Sequence, residues 1–168
     1  MRIGAFVILA LAALTLQVTL APRVVLLGAR PDWLLVLAVF IGLHVRGAEA
    51  PILAWLIGLG ADLVSIERPG LMAITYGLTA AAVHSVREFM FIRHPLTHFS
   101  LTLLASLGVQ TLMSMYRDLA YHWPVDSPTR ELAHAIAVAV WTGLWAVPVH
   151  WVLLRGRRLI ITPHARAG

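Results

Sequence analysis

Six long apolar runs, parted only by short turns that carry charge or proline, leave this 168-residue chain little to become except helices in lipid. A bilayer core of ~30 Å needs about 20 mostly apolar helical residues. Residues 3–21, 69–86, 95–116 and 132–154 meet that need, and the fourth helix is expected to run on toward Ile92. Residues 33–45 and 50–66 are bounded by charge, and the first of them is short for a full crossing. The expected architecture is one all-α integral membrane domain over residues 1–168. Its six transmembrane helices cover about 3–21, 32–45, 50–66, 69–92, 95–116 and 132–154. Composition agrees: 60% of residues are hydrophobic and 12% charged, against ~25% charged in soluble domains. The first run, with Pro22 directly after Ala21, lacks a small-x-small cleavage site and is expected to be a retained helix.

All 13 basic residues are arginine, and the net charge is +5. They are scattered between apolar runs and form no stripe with interleaved aromatics, so nucleic acid is not an expected partner. Read as loop charges, they set orientation. With the N-terminus cytoplasmic, eight arginines fall inside (Arg2, Arg46, Arg87, Arg93, Arg155, Arg157, Arg158, Arg166) and five outside (Arg23, Arg30, Arg68, Arg117, Arg130). Both termini are therefore expected in the cytoplasm, a parity that a re-entrant hairpin of the second and third runs would leave unchanged. The longest loop, about 117–131, carries Pro124, Pro128 and an Asp-Ser-Pro turn signal. The basic tail 155–168 reads as a topology anchor or a contact with anionic headgroups.

In lipid, partner choice falls to small and polar groups, because lipid tails are as apolar as leucine. The third run places Ala54, Gly58 and Asp62 at spacings of four, with Ala61 and Ser65 on the same side. A carboxylate at membrane depth must face protein or water. Asp62 is thus either hydrogen-bonded to a neighbouring helix near its own end or part of transport or proton transfer. The fifth run carries Thr102, Ser106, Gln110 and Ser114, also four apart, which line a cavity or partner groove or bond between helices. The sixth has the small-residue face Ala135, Ala139 and Gly143; Thr75 and Thr79 make a weaker one on the fourth.

Chemistry is poorly represented. His94 and His98 have the i, i+4 spacing of a ligand pair, but no third ligand is near in sequence and Pro95 disfavours a helix at His94. The absence of cysteine removes thiolate sites. HExxH, GxSxG and P-loop patterns are all missing. An intramembrane serine protease would have to pair Ser106 with His134, and an aspartyl one would need a second carboxylate beside Asp62, for which the sequence offers no evident twin. No catalytic residue, metal or cofactor is expected.

Residues 30–70 resemble the MreD family of rod shape-determining membrane proteins. Arg30-Pro31-Asp32-Trp33 opens a short apolar helix, as the family's Pro-Asp or Pro-Asn does. Gly58-x-x-x-Asp62-Leu63-x-Ser65-x-x-x-x-Gly70 is similar to the family's most recognisable stretch, and a basic turn at Arg46-Gly47 lies between the two. Pro69 departs from the pattern, where an apolar residue is usual. Each matched position has a physical reading as well. Pro31 fixes the start of the second helix, and Asp32 caps it. Gly58 permits close helix contact. Asp62, Leu63 and Ser65 close the third helix, Ser65 by bonding back to its own turn. Gly70 turns the chain into the fourth.

The resemblance implies a non-enzymatic adaptor of the bacterial elongation complex in the cytoplasmic (inner) membrane. It implies binding to the bitopic protein MreC and, through it, a link from MreB filaments to the enzymes of lateral peptidoglycan synthesis. It also implies a bundle like the S component of energy-coupling-factor vitamin transporters, whose central cavity the Thr102–Ser114 stripe would line. Pro31, Asp32, Gly58, Asp62, Ser65 and Gly70 become the expected structural or partner-interface residues. The alternative is a true S component that binds a vitamin-like substrate, with Trp33, Trp123 and Arg117 as candidate ligands.

Overall fold

A computed structural model describes residues 3–26, 28–45, 47–65, 68–89, 94–121 and 128–156. Among them each apolar run is one helix: α1 (Ile3–Thr19), α2 (Trp33–His44), α3 (Glu49–Val64), α4 (Leu71–Val86), α5 (Pro95–Tyr121) and α6 (Pro128–Arg155). A 3₁₀ turn, Arg87–Phe89, follows α4, and Ile92, toward which that helix was expected to run, lies outside the described residues. Arg2, Arg46, Arg93, Trp123, Pro124 and residues 157–168 lie outside the described residues.

The last two helices are longer than their apolar cores. α5 has 27 residues and α6 has 28, about 40 Å each at 1.5 Å per residue. The charged flanks read as loop, Arg117–Tyr121 and Pro128–Glu131, are helical instead, so the connection between α5 and α6 is shorter than expected. Proline opens both helices, where its missing N–H has no intrahelical acceptor to lose. Pro148 does not stop α6, which continues to Arg155. Leu96–Leu119 and Thr129–Arg155 are long and apolar enough to cross a membrane, whereas α1, α2 and α4 are shorter apolar helices.

The centre of the fold is α2. Eleven of its twelve residues, Trp33 through Leu43, are buried. The run WLLVLAVFIGL has no polar side, so it can be covered by other helices on every face. It touches α1, α3, α4, α5 and α6. At about 18 Å it is too short to cross a bilayer unaided, and its ends are held by protein. At the far end the Arg87 guanidinium donates to the Val45 carbonyl at 2.8 Å.

Small residues set the close contacts. A Cβ on Gly58 would lie 2.4 Å from the Ala73 Cα, so α3 and α4 meet backbone to backbone. A Cβ on Gly42 would lie 3.0 Å from the Ala80 carbonyl oxygen, which fixes α2 on α4. Gly143 of the small-residue face on α6 receives the ring of Phe99, so the helix that face meets is α5. By contrast α1 is peripheral. Only Phe6 and Ala13 of it are buried, and Ile3, Val7, Ile8 and Leu11 are exposed.

Candidate functional site

Two carboxylates organise one end of the bundle. Asp32 precedes α2 in an extended conformation, and its Oδ1 accepts from the Leu35 N–H at 3.0 Å. The first N–H groups of a helix have no intrahelical acceptor, and a side-chain oxygen at this position supplies one. The other oxygen, Oδ2, accepts from the Tyr76 hydroxyl of α4 at 2.6 Å. The Asp32 N–H donates to Thr142 Oγ1 of α6 at 3.1 Å, and the next N–H, of Trp33, donates to Gln17 Oε1 of α1 at 2.8 Å. One turn of backbone therefore ties α2 to α1, α4 and α6. Pro31, fully buried before it, fixes the approach of the chain.

Asp62 does the same for α4. The start of that helix is Gly70, at φ +96°, which has no side chain to cap with. The carboxylate of α3 reaches across instead. Asp62 Oδ2 accepts from the N–H groups of Gly70 (2.9 Å) and Ala73 (3.1 Å), and Oδ1 from Met72 (3.0 Å). A carboxylate at a helix N-terminus is favoured by both the hydrogen bonds and the helix dipole. Gly58, one turn earlier on the same face, lets α4 come near enough for this. The Ser65 N–H donates back to the Asp62 carbonyl at 3.3 Å and ends α3. Of the two readings of Asp62, the geometry matches the hydrogen-bonded one.

Asp62 is not the lone carboxylate the sequence suggested. Asp32 and Asp62 both act on the first two turns of α4. They do not make an acid–base dyad, however: each oxygen of either group already holds its own donor.

The remaining candidates lie elsewhere. Thr102 and Ser106 are buried on α5, and Gln110 and Ser114 are half-buried below them in the sequence. A groove of about 350 Å³ between α1 and α6 draws none of its wall from this stripe. Thr75 and Thr79 bond back to carbonyls of their own helix. His94 is exposed before α5 while His98 is buried within it, so the two do not present a ligand pair. His98 instead meets His150 of α6 at a ring distance of 4.6 Å and His44 of α2 at 6.2 Å. His150 Nε2–H donates to the Val36 carbonyl at 3.1 Å, which pins α6 to the middle of α2. No group of three His, Cys, Asp or Glu among the described residues is arranged to hold a metal ion. Ser106 is buried and His134 exposed.

Sequence reasoning missed Gln17, Tyr76, Thr142 and His150. Each is a polar group within an apolar run, and a polar side chain at membrane depth needs a partner, which was the available signal.

Over residues 1–147 the chain matches the family described as rod shape-determining protein MreD. The chain belongs to the MreD family. That match takes in both carboxylates, Gly58, Gly70 and the Thr102–Ser114 stripe. MreD is described as a determinant of rod shape, and the description names no reaction. No curated protein and no solved structure matches the chain.

Proposed function

We propose that this chain is a non-enzymatic adaptor of the rod-shape complex, set in the bacterial inner membrane by six helices with both ends in the cytoplasm. In that role it binds an MreC-like bitopic protein and supports lateral peptidoglycan synthesis, with MreB filaments as indirect partners. The observation that carries the reading is the family match over 1–147. The polar geometry supports it, because the two carboxylates serve as helix caps and are not held ready for chemistry. Pro31, Asp32, Gly58, Asp62, Ser65 and Gly70 then act by holding the α2–α3–α4 surface in the shape a partner recognises.

The S-component alternative gains nothing from the family match, and its likeness in fold rests on resemblance alone. Affinity capture of the tagged chain from native membranes separates the two. An adaptor brings down a bitopic protein with a periplasmic domain. Recovery with a two-ATPase module and its coupling subunit, or with neither, counts against the adaptor.

A further inference from the structure

The faces that α3, α4, α5 and α6 turn outward are of two heights. Exposed large apolar residues span Ile52 to Val64 on α3 and Ile74 to Val86 on α4, twelve positions in each case, or about 18 Å. Charge closes both bands: Glu49 opens α3, the exposed Arg68 stands between the two helices, and Arg87 follows α4. On α6 the band runs from Leu132 to Val152, between Glu131 and Arg155, or about 30 Å. On α5 it runs from Leu96 to Met115, ahead of Arg117, or about 29 Å. The hydrocarbon core of a bilayer is ~30 Å thick, and tilting a helix only lowers the height its band covers. α5 and α6 match that core, whereas α3 and α4 fall about 12 Å short of it.

The shortfall lies at one end of the bundle. At the C-terminus of α2 the Arg87 guanidinium bonds the Val45 carbonyl, and His44 and His150 both adjoin His98, so α2, α4 and α6 finish near one level. At the N-terminus of α2 the Asp32 N–H meets Thr142 of α6, and the Asp32 carboxylate meets Tyr76 of α4. α6 begins at Pro128, fourteen residues before Thr142, and so runs about 21 Å beyond that level. α4 begins at Leu71, five residues before Tyr76, about 8 Å. The rim of the bundle therefore steps down by roughly 13 Å from α6 to α4, in agreement with the difference in band height.

We propose that the outward surface of α3 and α4 is a seat for thinned bilayer: the leaflet at the N-terminal end of α2 dips against these two helices and keeps its full thickness along α5 and α6. A flat leaflet would put Arg68 and the backbone of the Gly70 turn in hydrocarbon, where polar groups find no water. Compressing acyl chains costs only a modest amount per ångström, so the lipid yields before the turn does. The proposal rests on the reading of the chain as a membrane protein and is independent of any role in cell shape.

The test exploits the absence of native cysteine. Full-length protein carrying one cysteine is labelled with a nitroxide and reconstituted in dioleoyl phosphatidylcholine, where collision with oxygen against a nickel chelate reads depth. Ile74→Cys and Val140→Cys change exposed positions near the level of Asp32. In a flat bilayer the two labels lie equally deep. The dip brings Ile74 toward the headgroups, and its nickel-to-oxygen collision ratio is expected to be severalfold above that of Val140. Leu78→Cys with Leu144→Cys, exposed and one turn deeper, repeats the comparison should either first variant not fold. Val86→Cys and Val152→Cys, at the level end of the bundle, are expected to agree. Equal ratios at Ile74 and Val140 overturn the proposal. So does a label at Ile74 shut off from both reagents, because protein then covers the face. Nickel collision at the bulk-water rate at every position overturns the membrane reading along with it.

Discussion

Asp62 accepts three backbone N–H groups, so its replacements have graded outcomes. Asp62→Leu leaves three N–H groups, one buried and two part-buried, without their acceptor and is expected to cost about 2–4 kcal/mol. Asp62→Asn keeps one acceptor oxygen and is expected to cost about 1–2 kcal/mol. Thermal unfolding in detergent checks the order; a Leu variant as stable as wild type would remove the capping role. Gly58→Ala needs the backbone of α4 to move, because its Cβ would meet Ala73 Cα at 2.4 Å. A loss of about 1–3 kcal/mol is expected. Gly60 on the same helix has nothing within 4 Å of an added Cβ, and Gly60→Ala is expected to be neutral or to stabilise by up to ~1 kcal/mol. The pair, measured by the same unfolding assay, isolates contact from helix propensity.

Among the elements, α2 depends on ties made far along the chain. Tyr76→Phe removes a donor from Asp32 Oδ2, and Asp32→Asn weakens the acceptor. A double-mutant cycle on the two is expected to show a coupling of about 1–2 kcal/mol, whereas additive losses would mean the 2.6 Å contact contributes little. Local features of these elements were legible in the sequence. Asp32 before a Trp-Leu-Leu run reads as an N-cap, and Gly70 after a Pro reads as a turn; both follow from neighbours. The partners of those residues did not follow. Tyr76 lies 44 residues from Asp32, and Thr142 lies 110, so nothing in local periodicity joins them. The first-turn N–H groups of α4 were equally hidden as acceptor-seekers, because Gly70 gives no sign that its cap comes from another helix. Charge does not end α5 or α6, which run past the apolar spans read for them. Arg117 and Arg130 instead ride on helices that continue past the apolar zone.

For the molecule as a whole, the six runs located the six helices to within a few residues. What they did not reveal was arrangement. The thirteen-residue second run looked like a deficient span, yet it forms an enclosed helix with eleven of its twelve helical residues buried. The proposed topology is open to direct measurement, since the chain has no native cysteine. Single cysteines placed at Ile3 and at Gly156 are expected to react with a membrane-impermeant maleimide only after the cytoplasmic face is opened. Labelling of either in intact cells would reverse or break the proposed orientation. At the same scale, Asp62→Leu in cells that rely on this chain is expected to widen and round them, with the protein level measured alongside to separate lost packing from lost partner binding.

The enclosure of α2 also sets a timetable. Its opening amide waits for an oxygen that the ribosome makes 110 residues later, which at 5–20 residues per second is about 5–20 seconds. During that interval a nascent chain holds a greasy segment too short to bridge the bilayer, with the Asp32 N–H still without its Thr142 acceptor. Chains halted near residue 130 should therefore leave Trp33 open to quenchers dissolved in lipid, and chains released after Arg155 should not. Assembly of this protein is in that sense finished by its last helix, and any delay there prolongs exposure to quality-control proteases.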